Sequence, residues 1–419
     1  MASDKTSLID GSIYSDDDND STAVTRTASE NIDAPKKHQT RMQFSGNELV
    51  VAVFVTAFDM KKGNMIEWNY PAGVNLDGVE FNSMVSGAHT ISKDFVYFKH
   101  NQLFGLSCFE KIAVANEAER GVRMKSVGLL AVGYSDLHTH QEFLQRQARK
   151  QLESPGDYSS LEEYFCHHQS SRHPVPRPLS GTESLPSMNI SHPAGCFTQF
   201  LQYFGVNIFV LWKLALLKKR ILFFSPPPIG VVCYRVYCTC LLGSHGLQLD
   251  IDTNCDPQFY INVAGISELE NMNTFVACTT EKIFQTKTEL YDVFVDNQNI
   301  TTNSTYLEPV LKPNLADEQR FKHLNTIRSD HFVSFGEVRD SQMVDDELGL
   351  ARCFQEMNSQ LFRTMHDAAT SEDHVLTVEM VDSVGLDPVG DKQFLTDLAR
   401  VHDMNLNVQR PVDMFSCCV

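Results

Sequence analysis

Residues 211–238 decide the fold class, and they read LWKLALLKKRILFFSPPPIGVVCYRVYC. An apolar stretch of helical character is followed by the basic residues Lys218, Lys219 and Arg220 and by an apolar, β-type run, RILFFS. Three prolines at 226–228 interrupt the chain before a second apolar helical stretch at 231–242. A strand placed between two apolar helices is typical of an α/β unit with a largely buried sheet.

The apolar run that precedes this strand, residues 197–217, is about as long as a helix that spans a bilayer. Four polar residues interrupt it, namely Gln199, Gln202, Asn207 and Lys213. They favour one buried amphipathic helix over 197–219, and we expect no transmembrane segment. The basic residues 218–220 would suit a membrane surface, but cations also complement the dipole at a helix C-terminus, and we favour that interpretation.

Further upstream, β-rich runs predict an antiparallel sheet. Two hairpins and one more strand are predicted, at 49–71, 95–112 (with its turn at Asn101) and 123–132. A helix is predicted at 135–152, because five apolar residues share one face: Leu137, Phe143, Leu144, Ala148 and Leu152. The pattern therefore predicts a small α+β unit.

The whole chain is predicted to have five segments and a fold of the α/β class. They are a disordered acidic tail at 1–46, the α+β unit at 47–152, a Pro-, Ser- and His-rich linker at 153–191, a central α/β unit at 192–312 and a helical region at 313–419. The tail has too few apolar residues to offset the entropy of ordering. In the central unit, further strands are predicted at 259–266, 274–280 and 290–296.

Charge and cysteine content restrict the partners and the compartment. The 35 basic and 53 acidic residues give a formal charge of −18, which disfavours nucleic acid and anionic membranes as main partners. The 11 cysteines are scattered and odd in number, unlike a secreted disulfide framework. The N-terminus has neither the basic nor the apolar region of a signal peptide. We therefore expect a cytoplasmic protein.

The sequence carries none of the common catalytic signatures. GxxxxGK(S/T), GxGxxG after a strand, HExxH and GxSxG are all absent. We therefore predict no catalytic residue, no cofactor and no metal, and a protein that is not an enzyme of covalent chemistry.

Two groups of residues that bind metals in other proteins receive a structural interpretation here. Cys233, Cys238 and Cys240 have no second ligand pair at zinc-site spacing, and their apolar neighbours indicate small buried side chains. Four histidines are expected to be exposed to solvent, namely His138, His140, His167 and His168. The two tryptophans, Trp68 and Trp212, are predicted to pack in the core rather than to anchor a partner.

Several long strings of this sequence resemble the DENN-domain family, most of all its LCHN-type members. Residues 211–238 look like the central module, and VACTTEKIF at 276–284 and ELYDVFVDNQN at 289–299 look like its later strands. Further strings are GNMIEWNYP (63–71), GVEFNSM (78–84), ERGVRMKSVG (119–128), HPAGC (192–196) and GLDPVGDKQFL (385–395). The similarity implies a longin-like upstream lobe, a central DENN lobe and a helical downstream region in the segments given above.

The resemblance also implies an exchange factor for a Rab-type small GTPase in vesicle trafficking. Such a protein binds the nucleotide-free GTPase more tightly than the GDP-bound form, and this difference expels the nucleotide. The GTPase would dock across both lobes, and no individual contact residue is assigned.

Three alternatives stay open. A non-catalytic scaffold or effector would bind a GTPase without exchange. A GTPase-activating relative of the folliculin type would need an arginine finger, for which Arg172 and Arg177 lie in a suitable linker, although a solvated linker is favoured. Transient membrane association through palmitoylation of Cys417 and Cys418 is the third, although unmodified thiols are favoured.

Overall fold

The computed structural model describes residues 49–169 (without 117, 118, 120 and 135), 197–245, 257–333 and 340–410, with side chains outside 327–348. The predicted disordered tail at 1–46 lies outside the described residues. So do Arg172, Arg177, Cys417 and Cys418.

The upstream half of the chain is an antiparallel meander. Its strands are β1 (Val50–Asp59), β2 (Gly63–Tyr70), β3 (Lys93–His100), β4 (Leu103–Ala113) and β5 (Val122–Ala131). They lie in the order β3-β4-β5-β1-β2, and every pair is antiparallel. Both predicted hairpins are confirmed. Asn101 between β3 and β4 has a φ of 55°, a left-handed conformation that asparagine tolerates in turns.

Helices cover both faces of the meander: α1 (Val79–Ser83), α2 (Gln141–Glu153) and α3 (Ser159–His168). Trp68 of β2 pairs with Val55 and stacks on Tyr158, next to α3, with ring centroids 4.6 Å apart. The adjacent residue, Thr56, forms a 2.9 Å hydrogen bond with Ser83 of α1. Because neighbouring residues of a strand point to opposite faces, α1 and α3 lie on opposite sides of the sheet.

Helix α3 occupies part of the segment that we expected to be linker. The expectation of irregular structure is wrong for residues 159–168, because Leu161 and Phe165 lie on one helical face and are buried against the upstream half. Most of the remaining linker lies outside the described residues.

The central half is an α/β layer, as predicted. Its elements are β6 (Arg220–Phe224), α6 (Gly230–Leu242), β7 (Pro257–Tyr260), α7 (Ile266–Leu269), β8 (Phe275–Thr279), β9 (Val293–Asp296) and β10 (Asn299–Thr301). Strands β9, β6, β8 and β7 are parallel neighbours in that order, and β10 is antiparallel to β9. A single residue pair, Phe98 of β3 with Tyr260 of β7, joins this layer to the meander. Ten of the described strands therefore form one mixed sheet.

The predicted helix at 197–219 is two helices, α4 (Phe197–Phe204) and α5 (Ile208–Leu216), with a 3-10 turn between them. Gly205 has a φ of 56°, the left-handed conformation that commonly terminates a helix. All nine residues of α5 are buried, which explains why its sequence is apolar on every side. Among the described residues, no helix is long and apolar enough to cross a membrane.

The predicted strand at 259–266 is also shorter than expected, since β7 ends at Tyr260. Asn262 then accepts the Ala264 N–H through its side chain at 2.8 Å and begins a 3-10 turn at 263–265, so the chain leaves the sheet.

The C-terminal region is mainly helical, as predicted. It contains α8 (Leu315–Val333), α9 (Asp340–Thr370), α10 (Val378–Ser383) and α11 (Lys392–Val401), together with a parallel pair of two-residue strands, β11 (Val375–Leu376) and β12 (Asn407–Val408). Buried polar contacts tie it to α5. Lys213 forms ion pairs with Asp317 and Asp391, and the Trp212 indole donates to Asn358 at 2.6 Å.

Candidate docking surface at the junction of the two halves

The described residues contain no group of three or more His, Cys, Asp and Glu side chains that could hold a metal ion. Cys233 and Cys238 are fully buried and Cys240 nearly so, in agreement with the prediction that they are small core residues. Burial is typical of cysteines that serve only in packing. The three thiols therefore offer no accessible site.

The prediction that four histidines are exposed is wrong for His140. It is buried, and its Nδ1 lies 2.6 Å from the Tyr164 hydroxyl of α3. Burial, and to a smaller extent the neighbouring His168 and His138, lowers the pKa of His140 to about 4. His138 and His168 are half-buried, and His167 is exposed. The sequence did not reveal that α3 packs beside this segment.

The tryptophans pack as predicted. Trp212 is fully buried, and Trp68 is half-buried against the core.

One edge of the sheet collects the carboxyl ends of the parallel strands β6, β8 and β7. Ligands of α/β sheets bind preferentially at such an edge. Residues 76–91 of the upstream half, which include α1, lie against it. The Asn262 amide, after β7, donates to the Asn82 side chain at 2.6 Å, and the Ser86 N–H donates to the Tyr260 hydroxyl at 3.3 Å.

Gly87 shows how closely the two halves approach here. A Cβ atom at this position would lie 3.2 Å from Cγ of Pro227, in the loop after β6, and Gly87 has a φ of 84°. A side chain would therefore be strained by both the backbone conformation and the contact.

Asp94 of β3 caps helix α6 across the junction. Its Oδ2 accepts the Ile229 N–H at 2.6 Å, and its Oδ1 accepts the N–H groups of Gly230 at 3.1 Å and Phe95 at 2.9 Å. Ile229 and Gly230 begin α6, where N–H groups have no acceptor inside the helix. Burial raises the pKa of Asp94 to about 6, although the N–H groups oppose the rise.

A buried polar triad joins the same elements. The Tyr97 and Tyr234 hydroxyls lie 3.2 Å apart, and the Gln141 amide donates to them at 2.9 and 3.1 Å respectively. These residues belong to β3, α6 and α2, so polar contacts hold the two halves in one arrangement. A surface built from both halves is thus formed before any partner binds.

Two exposed aromatic side chains lie on the side of the meander where α1 packs. Phe58 is 39% exposed and Phe81 is 44% exposed. Phe58 points to the same face of β1 as Thr56, which contacts α1, and Phe81 belongs to α1. The upstream half therefore contributes two aromatic side chains on one face.

The central half continues this apolar surface. Val263 and Ile283 are each 48% exposed. Val263 follows Asn262, which binds Asn82 of α1, and the Val263 N–H donates at 2.8 Å to Glu281, two residues before Ile283. We call Phe81, Val263 and Ile283 the junction surface. Single exposed apolar residues are common, but a group that spans two halves is a candidate docking site.

The sequence did not identify the junction surface or Asp94. Phe81 lies in GVEFNSM and Ile283 in VACTTEKIF, two of the strings quoted above, but no spacing distinguishes an exposed apolar residue from a core residue. Their placement depends on the contacts of residues 76–91 with the loops after β6 and β7, and on the hydrogen bond between Val263 and Glu281.

A mixed sheet shared by an antiparallel meander and a parallel α/β layer, with helices packed on it, is consistent with the DENN domain fold. A family model for DENN domain-containing protein 11 matches residues 53–307. The chain belongs to the DENN domain-containing protein 11 family.

Proteins from animals and from yeast are similar to this chain in sequence. DENN domain-containing protein 11 of Rattus norvegicus is 45% identical over 384 residues, which cover 88% of this chain and 83% of the relative. The Danio rerio protein of the same name is 45% identical over 390 residues, covering 88% and 77%. The uncharacterized protein ANR2 of Saccharomyces cerevisiae is 26% identical over 314 residues, covering 62% and 59%. DENN proteins are in general exchange factors for Rab GTPases, and they regulate nucleotide release without covalent chemistry.

Proposed function

We propose that this chain is a guanine nucleotide exchange factor for a Rab-type GTPase in the cytoplasm, and that the GTPase docks on the junction surface. Membership of the DENN family carries the proposal. The exposed apolar residues on both halves support the choice of surface, because exposed apolar patches mark sites of protein–protein interaction.

The rigidity of the junction supports the exchange mechanism. To release GDP, the protein must bind the nucleotide-free GTPase more tightly than the GDP-bound form, by displacing the segments that hold phosphate and Mg²⁺. Asp94 and the Tyr97–Tyr234–Gln141 contacts hold this surface in place before docking. The protein therefore loses little conformational entropy when the GTPase binds. An interface of standard size, about 1,600 Å² in total, suffices for stable docking.

The deciding experiment is the release of fluorescent GDP from a panel of purified Rab GTPases, with and without the full chain. Faster release from one or a few members supports the proposal. No acceleration of any member, with binding restricted to GTP-loaded forms, contradicts it and indicates an effector or scaffold. Faster GTP hydrolysis without GDP release would instead indicate a GTPase-activating protein.

Two substitutions should slow exchange strongly without unfolding the protein. We expect Phe81→Asp and Val263→Asp each to lower the rate of GDP release about tenfold or more, because a charge would replace an apolar contact at the centre of the interface. The thermal unfolding temperature should change little, since both side chains are exposed in the free protein.

Matched controls are present on the C-terminal region. Leu315 and Val389 are 64% and 71% exposed and lie outside the junction surface. Leu315→Asp and Val389→Asp should leave the GDP release rate unchanged. If all four variants lost activity equally, or if the two junction variants kept it, the junction surface would not be the docking site.

A further inference from the structure

Glu281 is an acidic residue in apolar surroundings within the junction. It is half-buried, next to the exposed side chains of Val263 and Ile283. Its Oε2 accepts the Val263 N–H at 2.8 Å. Among the residues that the structure describes, no Lys, Arg or His forms an ion pair with it.

The carboxylate is therefore partly desolvated without a compensating cation. Burial raises the pKa of Glu281 above its ordinary value of 4.5, and the hydrogen bond from Val263 opposes this only in part. A partner that covers Val263 and Ile283 would remove more water from the carboxylate. Desolvation of an unpaired charge is costly, and a charge pair with good geometry offsets this cost.

We propose that Glu281 selects the partner of the junction surface by forming an ion pair with a lysine or arginine of the docked GTPase. The inference rests on the proposed function. A GTPase with an apolar or acidic residue opposite Glu281 would leave the carboxylate buried and unpaired, and would be rejected. The formal charge of −18 favours the approach of a basic partner surface.

The Glu281→Gln variant removes the charge and keeps an oxygen that accepts the Val263 N–H. We would measure the affinity and the association rate of the full chain for the nucleotide-free form of each GTPase in the panel, at low and at raised NaCl concentration. Glu281→Gln should bind the cognate GTPase about tenfold more weakly at low salt, with an association rate that depends less on salt than that of wild type.

Glu356→Gln is the matched control, because Glu356 is an exposed glutamate on α9, away from the junction. It should bind like wild type. A double-mutant cycle with Lys→Gln and Arg→Gln variants of the GTPase should identify one cation whose removal has no effect once Glu281 is glutamine.

The outcomes separate the two hypotheses. If wild type binds a GTPase and Glu281→Gln binds it with the same affinity and salt dependence, the role of Glu281 is overturned while the docking function stands. If wild type binds no GTPase of the panel, the proposed function is overturned and the inference about Glu281 with it.

Discussion

Lys213→Met should destabilise the protein by roughly 3–5 kcal/mol, the usual consequence of removing one member of a buried ion pair. The Lys213 Nζ lies 2.7 Å from Asp317 and 2.6 Å from Asp391, and all three side chains are almost completely buried. Methionine fills a similar volume, so the loss of stability comes from the two buried carboxylates that no longer have this cation as a partner. Denaturant unfolding, followed by circular dichroism, measures the change.

A balance of charge underlies this prediction. Arg320 is partly buried beside them, and desolvation lowers its pKa, although Asp391 and Asp317 favour its charged form. Two cations thus oppose two anions where α5, α8 and the segment before α11 meet. Without Lys213, the cluster carries one excess negative charge in a medium of low dielectric constant.

Asp317→Asn in the Lys213→Met background should therefore recover part of the lost stability, because it restores the balance of charge. Lys322→Met, at an exposed position of α8, is the control and should change the free energy of unfolding by less than about 0.5 kcal/mol. If Lys213→Met lowered the free energy of unfolding no more than Lys322→Met does, the cluster around Lys213 would not stabilise the fold as argued.

Asp94→Ala should cost about 2–4 kcal/mol, because it leaves the N–H groups of Ile229, Gly230 and Phe95 without their acceptor at the junction. Asp77→Ala, at an exposed position, removes the same charge and should be nearly neutral. Asp94→Asn should lie between the two, since one oxygen still accepts from Gly230 and Phe95 while its amide group faces the Ile229 N–H. Denaturant unfolding at neutral pH ranks the three variants.

The effect of Asp94 on stability should depend on pH with a defined sign. Its pKa is about 6 in the folded protein and has an ordinary value of 3.8, so the folded state takes up the proton first as the pH falls. The stability that results from this difference between the folded and the ordinary pKa is fully present below about pH 4. It is lost as the pH rises to about 6. The gap in the free energy of unfolding between wild type and Asp94→Asn should therefore narrow over this range. A gap that widens would show that the folded protein favours the carboxylate.

These two clusters hold the arrangement of the elements that carry the proposed docking surface. Asp94 ties the meander to α6, and the cluster around Lys213 ties the C-terminal helices to α5. Deletion of the upstream segment would remove half of the shared sheet, so point substitutions test the docking surface more cleanly than truncation.

Local patterns predicted the strands and helices well where one element buries its own apolar run. The hairpins of the meander, β6 and α6 are examples, because alternation, turn residues and prolines act over a few positions. The element boundaries were predicted wrongly where a single residue ends an element. Gly205 divides the predicted helix at 197–219 into two, and Asn262 begins a turn just after β7 ends. It also failed for α3, whose apolar face acquires a partner only in the folded protein.

Sequence by itself determined the α/β class, the cysteines as core residues and, through several long strings, the DENN family, since these depend on residue type and local order. Only the tertiary structure decided that the two halves share one sheet through Phe98 and Tyr260, that Asp94 caps a helix of the other half, and that Asn82 of α1 binds Asn262 after β7. These contacts join residues more than 100 positions apart, and hydrophobic pattern carries no information about such pairs. The proposed docking surface, which both halves contribute to, is therefore a property of the folded chain.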